Sequence, residues 1–302
     1  MSSDYIPRLR RELLRAGAGE PVRRRRLPAL RPAAVVAVTA LLALAVVLAL
    51  STAGSDETAV QGPGEAVALT YRVAPAAAAG QTADVLRARL SAAGVQDAAV
   101  TVGDDASLTI SAPAATRAGV TALVVPGELA IYDWEPSLLG SPGPVSRAEA
   151  EARAATRSDA RVVRGRDGAG SGWFALRGSP AMTGADVAHA GPATDPATHE
   201  PIVTLDFTPA GQAAFGALTG EIARRGSAAA GGGADVETFQ HLAIVLDDRV
   251  MSLPYIDFHQ APGGIDGSDG AQIGGGLTPE SARTTAAILD AGPLPATLTA
   301  SR

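Results

Sequence analysis

An uncharged apolar segment at residues 32–55, PAAVVAVTALLALAVVLALSTAGS, constrains the chain more than any other feature. About 20 mostly apolar residues are enough for a helix to cross the hydrocarbon core of a bilayer. The 31 residues before the segment carry a net charge of +6, whereas the chain after it carries a net charge of −12. Because an arginine excess marks the cytoplasmic flank of a span, the sequence predicts an amino terminus inside and the bulk of the chain outside.

A cleaved signal peptide is the alternative interpretation, with residues 51–53 (STA) as its cleavage site. The apolar run is longer than the roughly 7 to 15 residues of a signal-peptide core, which favours an uncleaved anchor. No second apolar run of spanning length follows in the sequence. We therefore expect a basic cytoplasmic tail at 1–31, a transmembrane helix at 32–53, a linker at 54–63 and a single-pass protein of the cell membrane.

Strand-like and helix-like patterns alternate after the linker. Apolar residues at every second position predict strands, and apolar residues spaced three or four apart predict helices. From 64 to 136 these patterns give the order β-α-β-β-α-β, with 128–134 as the closing strand. This is the order of a split βαβ unit, in which helices cover one face of an antiparallel sheet.

A second module is predicted in the last part of the chain. Residues 137–180 show weaker patterns, but from 201 to 299 nearly the same element order returns. Thr208 and Thr278 are each followed by proline, a pattern typical of a helix N-cap and first helical position. The predicted fold class is α+β: one N-terminal transmembrane helix, then two ferredoxin-like (split βαβ) modules with antiparallel sheets.

The stretch GGIDGSDGAQIGGGLTPE at 263–280 has three candidate roles: a phosphate cradle, a calcium loop or a connection. A phosphate-binding loop requires a lysine, and the chain has none. An EF-hand loop counted from Asp266 fails, because Leu277 stands where the bidentate glutamate is needed. Turn formation is favoured, and a weak calcium ion at Asp266 and Asp269 is the alternative. We expect the triple glycine at 274–276 to let a strand pass close to its neighbours.

The sequence shows no pattern of catalytic residues. It contains no cysteine, its four histidines lack zinc-binding spacing, and no serine-hydrolase elbow is present. Asp247 and Asp248 could pair for acid–base chemistry, but a hairpin turn accounts for them. We therefore expect no enzymatic activity, no cofactor, no metal site and no binding of nucleic acid.

Four sequence blocks carry a family resemblance: MTGADV, EPIVTLDFTPAGQAAFGALTGEIARRG, HLAIVLDDRVMSLPYIDF and DGAQIGGGLTPESARTTAAILDAGPLPATL. Their order and spacing resemble the first extracytoplasmic domain of SecD-type protein-export (preprotein translocase) subunits. The resemblance implies a membrane-proximal base at 64–136 and a head at 137–302. It also implies structural roles for ten signature residues, namely Thr183, Gly184, Phe207, Asp247, Pro254, Gly275, Gly276, Thr278, Gly292 and Pro295.

In that family the base and head move relative to each other, and the head is thought to hold an unfolded preprotein. Proton flow through later membrane spans drives the cycle, and this sequence lacks those spans. The resemblance therefore implies an accessory factor in protein export that binds translocating polypeptide or translocon subunits without its own proton-driven motor. A structural or regulatory module of the cell envelope that reuses the same fold is the alternative.

Overall fold

The computed structural model describes residues 66–140, 143–165, 172–230 and 240–301. The predicted cytoplasmic tail, transmembrane helix and linker at 1–31, 32–53 and 54–63 lie outside these ranges. Among the described residues, no helix combines the length and the apolar character that crossing a membrane requires.

Thirteen strands, six α-helices and four short 3-10 helices occur in the described ranges. The strands are β1 Ala66–Ala74, β2 Ala99–Val102, β3 Ser107–Pro113, β4 Leu129–Asp133, β5 Arg161–Arg164, β6 Trp173–Leu176, β7 Met182–Thr183, β8 Val187–Thr194, β9 Pro201–Phe207, β10 Leu242–Leu246, β11 Arg249–Ser252, β12 Ala271–Ile273 and β13 Thr297–Ala300. The helices are α1 Ala79–Ala92, α2 Arg117–Leu123, α3 Trp134–Ser137, α4 Arg147–Ala154, α5 Pro209–Ala230 and α6 Pro279–Ala291.

The strands form three sheets. Sheet 1 has the order β13-β1-β3-β2 and is antiparallel throughout. Sheet 2 has the order β6-β5-β11-β10-β4-β7, and its β5–β11 pair is parallel. Sheet 3 has the order β12-β9-β8. The mixed α+β class with mainly antiparallel sheets is confirmed.

The two predicted ferredoxin-like modules are not confirmed. Strand β4 was expected to close the first module, but it lies in sheet 2 between β10 and β7, and β13 takes the place beside β1. In the last part of the chain, β9 belongs to sheet 3, whereas the β10–β11 hairpin belongs to sheet 2. The reason is burial: β4 is apolar on both faces, so it suits the middle of a wide sheet better than the edge of a narrow one.

Sheet 2 separates two apolar cores. Leu129 and Ile131 of β4 face a large core shared with sheets 1 and 3 and the helices. Ala130 and Tyr132 of the same strand face a smaller core. In this core the rings of Trp134 and Phe174 pack edge to face, with their centroids 4.9 Å apart. All five residues of β10 are buried for the same reason.

The predicted helix starts are confirmed. The hydroxyl oxygen of Thr208 accepts a hydrogen bond from the Gly211 N–H at 3.0 Å, at the start of α5. Thr278 and Ser281 form a reciprocal capping box at the start of α6, with Pro279 as the first helical residue. These caps satisfy N–H groups that a helix leaves unpaired at its first turn.

Candidate functional site

Two short connectors join sheet 1, with its helices α1 and α2, to the rest of the described chain. The chain leaves this part through residues 124–128 (connector 1), after α2, and returns through residues 292–296 (connector 2), before β13. The connectors touch each other, because the N–H of Leu294 donates to the carbonyl oxygen of Pro126 at 2.8 Å.

Arg89 of α1 holds both connectors. Its side chain is completely buried. One terminal nitrogen donates to the carbonyl oxygens of Leu123 and Val125 at 2.8 and 2.5 Å, and the other donates to those of Pro126 and Gly292 at 2.9 and 2.7 Å. Burial lowers the pKa of Arg89 to about 10, which leaves the guanidinium charged at neutral pH. A buried cation requires such acceptors, because without them its desolvation would be uncompensated.

Asp247 holds connector 1 from the other side. Asp247 and Asp248 form the two-residue turn of the β10–β11 hairpin with φ angles of 49° and 60°, as the left-handed positions of such a turn demand. One carboxylate oxygen of Asp247 accepts hydrogen bonds from the N–H groups of Gly127 and Glu128 at 2.8 and 2.9 Å. The Arg89 cation therefore binds carbonyl oxygens of connector 1 and of the residue before it, and the Asp247 anion binds two N–H groups of connector 1.

The same turn makes a second, more exposed charge contact. Asp248 and Glu128 both accept from the guanidinium of Arg161 at the start of β5, the latter at 2.9 Å. Exposed pairs of this kind contribute at most about 1 kcal/mol each. The predicted role of Asp247–Asp248 as a hairpin turn is confirmed, and the side chain of Asp247 adds a contact that the sequence did not indicate.

We expect an Asp247→Asn variant to gain stability relative to the wild type as the pH rises. Burial raises the pKa of Asp247 above its ordinary 3.8, although hydrogen bonds from Glu128 and Gly127 and the Arg89 charge oppose the shift. Since the folded-state pKa exceeds the unfolded one, the stabilising contribution of this carboxyl is complete below about pH 4 and is lost as the pH rises. Asparagine keeps the acceptor and does not titrate. Urea unfolding between about pH 3 and 7 measures the difference.

The control for this pH series is Asp105→Asn in the exposed β2–β3 turn. Hydrogen bonds from Ser107 lower the pKa of Asp105, so its contribution is present at neutral pH and is lost as the pH falls. The two variants should therefore deviate from the wild type in opposite directions. A difference between Asp247→Asn and the wild type that does not change with pH would contradict the assignment.

Four charged or titratable side chains form an ion cluster at the opposite end of the β4–β10 pair. Asp133 accepts from both terminal nitrogens of Arg225 at 2.7 and 2.6 Å. Arg225 also lies 3.7 Å from Glu135, and Glu135 lies 2.6 Å from Nδ1 of His241. Burial alone would lower the pKa of Arg225, but the hydrogen bonds and charge of Asp133, with Glu135, outweigh it and raise the pKa. The cluster joins β4, α3, α5 and the residue before β10.

The glycine-rich stretch lies against α5. We call residues 263–270 the glycine strap. The N–H of Ile265 donates to the buried Thr219 hydroxyl of α5 at 2.9 Å. A Cβ atom added at Gly264 would lie 2.7 Å from Cα of Gly220, and one added at Gly267 would lie 2.5 Å from Cα of Gln212. Glycine is therefore needed for the backbone of the strap to reach the backbone of the helix.

The structure confirms the turn predicted within this stretch. The Asp266 carboxylate accepts from the N–H of Ser268 at 2.9 Å, which is the turn role that the sequence favoured.

Within the triple glycine, the expected close approach occurs at Gly274, where an added Cβ would lie 3.2 Å from Cγ2 of Ile202 in β9; at Gly276 an added Cβ would meet no atom within 4 Å. In the whole stretch, the closest approaches to another backbone lie in the strap. Gly275 and Gly276 have φ angles of 89° and 81° and turn the chain toward the Thr278 cap.

Two of the ten signature residues interact with Arg89. The carbonyl oxygen of Gly292 accepts a hydrogen bond from its guanidinium, and the charge of Asp247 acts to raise its pKa. The others occupy separate structural positions. Phe207 packs against Phe215 with ring centres 5.0 Å apart, and the carbonyl of Pro254 accepts from the N–H of Leu242 at 3.1 Å. The remaining members form caps and turns or an exposed connector position: Thr183, Gly184, Gly275, Gly276, Thr278 and Pro295.

Neither the role of Arg89 nor the ion cluster was predicted from the sequence. A signal for Arg89 was present, because it lies three residues after Leu86 and one before Leu90, on the face of α1 that carries the buried residues. A charge on the apolar face of a helix indicates a specific partner. The ion cluster had no comparable signal, since Asp133, Arg225 and His241 come from distant parts of the chain.

A family model matches part of the chain. Residues 160–296 match the model described as "SecDF, P1 head subdomain". The match confirms the resemblance to a SecD-type extracytoplasmic domain. No curated protein sequence matches the chain.

Two solved structures share the fold. The first, "Structure and function of a membrane component SecDF that enhances protein export", is 22% identical with a TM-score of 0.52 and covers 78% of this chain and 98% of its own. The second, "Crystal structure of SecDF in Super-membrane-facing form", is 23% identical with a TM-score of 0.52 and covers 78% of this chain. The matched part makes up only 29% of that longer SecDF chain.

Proposed function

From the match of residues 160–296 to the SecDF P1 head subdomain, we propose that the protein is an extracytoplasmic factor in protein export. Its head binds translocating polypeptide or a subunit of the translocon. The family match is the single observation that carries the proposal, and the shared fold with a SecDF structure supports it. The role is one of binding and not of catalysis, because the sequence contains none of the catalytic patterns considered above.

Crosslinking tests the binding role. A photoreactive residue is placed at exposed head positions such as Thr194 and His259, and a secretory precursor is stalled in the translocon. We expect crosslinks from these positions to the precursor or to a translocon subunit. The control is an unrelated domain on the same anchor with photoreactive residues of equal exposure. Head crosslinks no stronger than those of the control would overturn the proposal.

We also propose that residues 32–53 anchor the protein once in the membrane, with the amino terminus inside. The charge difference across the segment supports this orientation. Because the chain has no cysteine, single cysteines at Ser3 and Ser301 are unique labels. A membrane-impermeant maleimide should label Ser301→Cys in intact cells and Ser3→Cys only after lysis. Equal labelling of both, or the reverse pattern, would contradict the topology.

A structural or regulatory role in the envelope is the second candidate, favoured by the nine arginines in residues 1–31. A tail of this charge offers a contact surface on the cytoplasmic side that export of polypeptide does not require. Deletion of residues 1–27 tests it. Under this alternative the deletion changes the phenotype while the head still folds; an unchanged localisation and phenotype would remove its support.

A further inference from the structure

We propose that Asp290 and Pro192 close the free edge of strand β8, so that a second copy of this chain cannot add its own β8 to sheet 3. In the described part of the chain, β8 is an end strand of that sheet, in the order β12-β9-β8. Its eight residues make it the longest of the strands that end the three sheets. A long exposed edge is a template for pairing with another chain. The inference goes beyond the export role and holds whatever partner the head binds.

The first argument concerns the direction of the backbone groups of β8. Residues 190–194 pair in regular register with residues 201–205 of β9. In an antiparallel pair, successive residues alternately point their N–H groups toward the partner strand and away from it. The N–H of Ala190 points away from β9, because it donates to the carboxylate of Asp290 at 3.0 Å. Pro192 lies two residues further on and faces the same way, but it has no N–H. Two successive outward positions therefore offer no free donor to an incoming strand.

The second argument concerns the place of Asp290 in its helix. It is the last residue but one of α6, where unpaired carbonyl groups give the helix a partial negative charge. A carboxylate is unfavourable there, so its presence indicates a specific partner. Its Oδ1 atom accepts the hydrogen bond from Ala190 and also lies 2.5 Å from Nδ1 of His189, which holds the carboxylate at the strand. The contact with the edge of β8 accounts for an aspartate at this position.

The third argument is that the edge is also covered. Helix α6 packs against β8, and Ala190 is only 4% exposed. Helix cover, proline and charged side chains are the devices by which natural sheets protect their edges. Val145 and Trp173 exchange two hydrogen bonds of 2.9 Å at the free edge of β6. Arg87 donates to the carbonyl oxygen of Val100 in β2 at 2.7 Å. Protection of β8 is therefore part of a pattern shared by several end strands.

Hydrogen–deuterium exchange of the full chain in detergent micelles tests the contact at Ala190. In Asp290→Ala the amide of Ala190 loses its acceptor, so we expect it to exchange about tenfold faster than in the wild type. Asp290→Asn keeps an acceptor oxygen and should stay within about twofold of the wild type. Asp206→Ala is the matched control, because Asp206 is an exposed aspartate of the neighbouring strand β9. It should leave the exchange at Ala190 unchanged.

Self-association tests the consequence for the edge. The double variant Asp290→Ala/Pro192→Ala removes the cap and restores an outward N–H. We expect its dimer dissociation constant, measured by sedimentation in the same micelles, to be about tenfold lower than that of the wild type. The amide at position 190 should exchange more slowly as the protein concentration rises, because pairing of two β8 strands protects it. Pro192→Ala alone leaves α6 unchanged and should also associate more strongly than the wild type, which keeps the test valid if Asp290→Ala fails to fold.

Three results would overturn the proposal. The first is an unchanged exchange rate of the Ala190 amide in folded Asp290→Ala. The second is a double variant, or Pro192→Ala where only that variant folds, that associates no more strongly than the wild type. The third is stronger association without slower exchange at position 190, because the contact between the two copies would then lie outside the edge of β8.

Discussion

A Gly264→Ala variant is expected to lose about 3 kcal/mol of unfolding free energy, and two separate effects contribute to this loss. Gly264 has a φ of 92°, a region that costs an alanine about 1 to 2 kcal/mol. The added methyl group would also lie 2.7 Å from Cα of Gly220 and 2.9 Å from the carbonyl carbon of Thr219. These are backbone atoms that cannot rotate away, and overpacking of this kind costs about 1 to 3 kcal/mol.

Gly263→Ala is the matched control, since it adds the same methyl group one residue earlier in the glycine strap. A Cβ atom at Gly263 would meet nothing within 4 Å. We expect this variant to stay within about 0.5 kcal/mol of the wild type. Urea unfolding followed by circular dichroism compares the two variants. A similar loss in both would show that the strap does not depend on close backbone contact with α5.

Removal of Arg225 from the ion cluster should lower the unfolding free energy by nearly as much as the Gly264→Ala substitution. In an Arg225→Met variant, Asp133 loses two short hydrogen bonds and Glu135 loses a neighbouring cation. Both carboxylate side chains are at least four-fifths buried in the wild type. Removing one partner of a fully buried ion pair costs about 3 to 5 kcal/mol, and partial exposure reduces this figure. We therefore expect a loss of about 2 kcal/mol in the unfolding free energy.

Arg224→Met provides the comparison, because Arg224 precedes Arg225 on α5 and is also ion-paired, with Glu221. Both side chains of that pair are more than half exposed, so its removal should cost at most about 0.5 kcal/mol. The double variant Arg225→Met/Asp133→Leu should recover part of the loss, since it removes the stranded carboxylate. Equal effects of Arg225→Met and Arg224→Met would mean that the cluster contributes no more than a surface pair.

The sequence predicts the elements of this fold better than it predicts their partners. Thr208 and Thr278 reveal helix starts because N-capping is local chemistry within four residues. The sheet to which β4 belongs depends instead on contacts with β10, more than 100 residues further along the chain. The short apolar run of β4 is consistent with a strand. Its burial on both faces appears only when both cores are assembled.

The candidate site likewise combines features that the sequence predicts with contacts that it does not predict. The turn at Asp247–Asp248 is predictable, because aspartate accepts left-handed backbone and favours turns. The contact of the Asp247 carboxylate with connector 1 is not, since nothing in the local sequence specifies which N–H groups lie nearby. Glycine content marked the glycine strap as unusual, but only the backbone of α5 explains why Gly264 and Gly267 lack side chains.

The pairing of β13 with β1 has a consequence for how the molecule is made. Val73 pairs with Leu298, so β1, the first of the described strands to be synthesised, finds its partner only when β13, the last of them, has been made. Until residues 297–300 arrive, Tyr71 to Ala74 present an unpaired strand edge, a template for wrong partners. An interruption of synthesis before residue 297 therefore leaves sheet 1 without its fourth strand. The edge of β1 at Tyr71 to Ala74 therefore has to stay free of wrong partners until β13 has been synthesised.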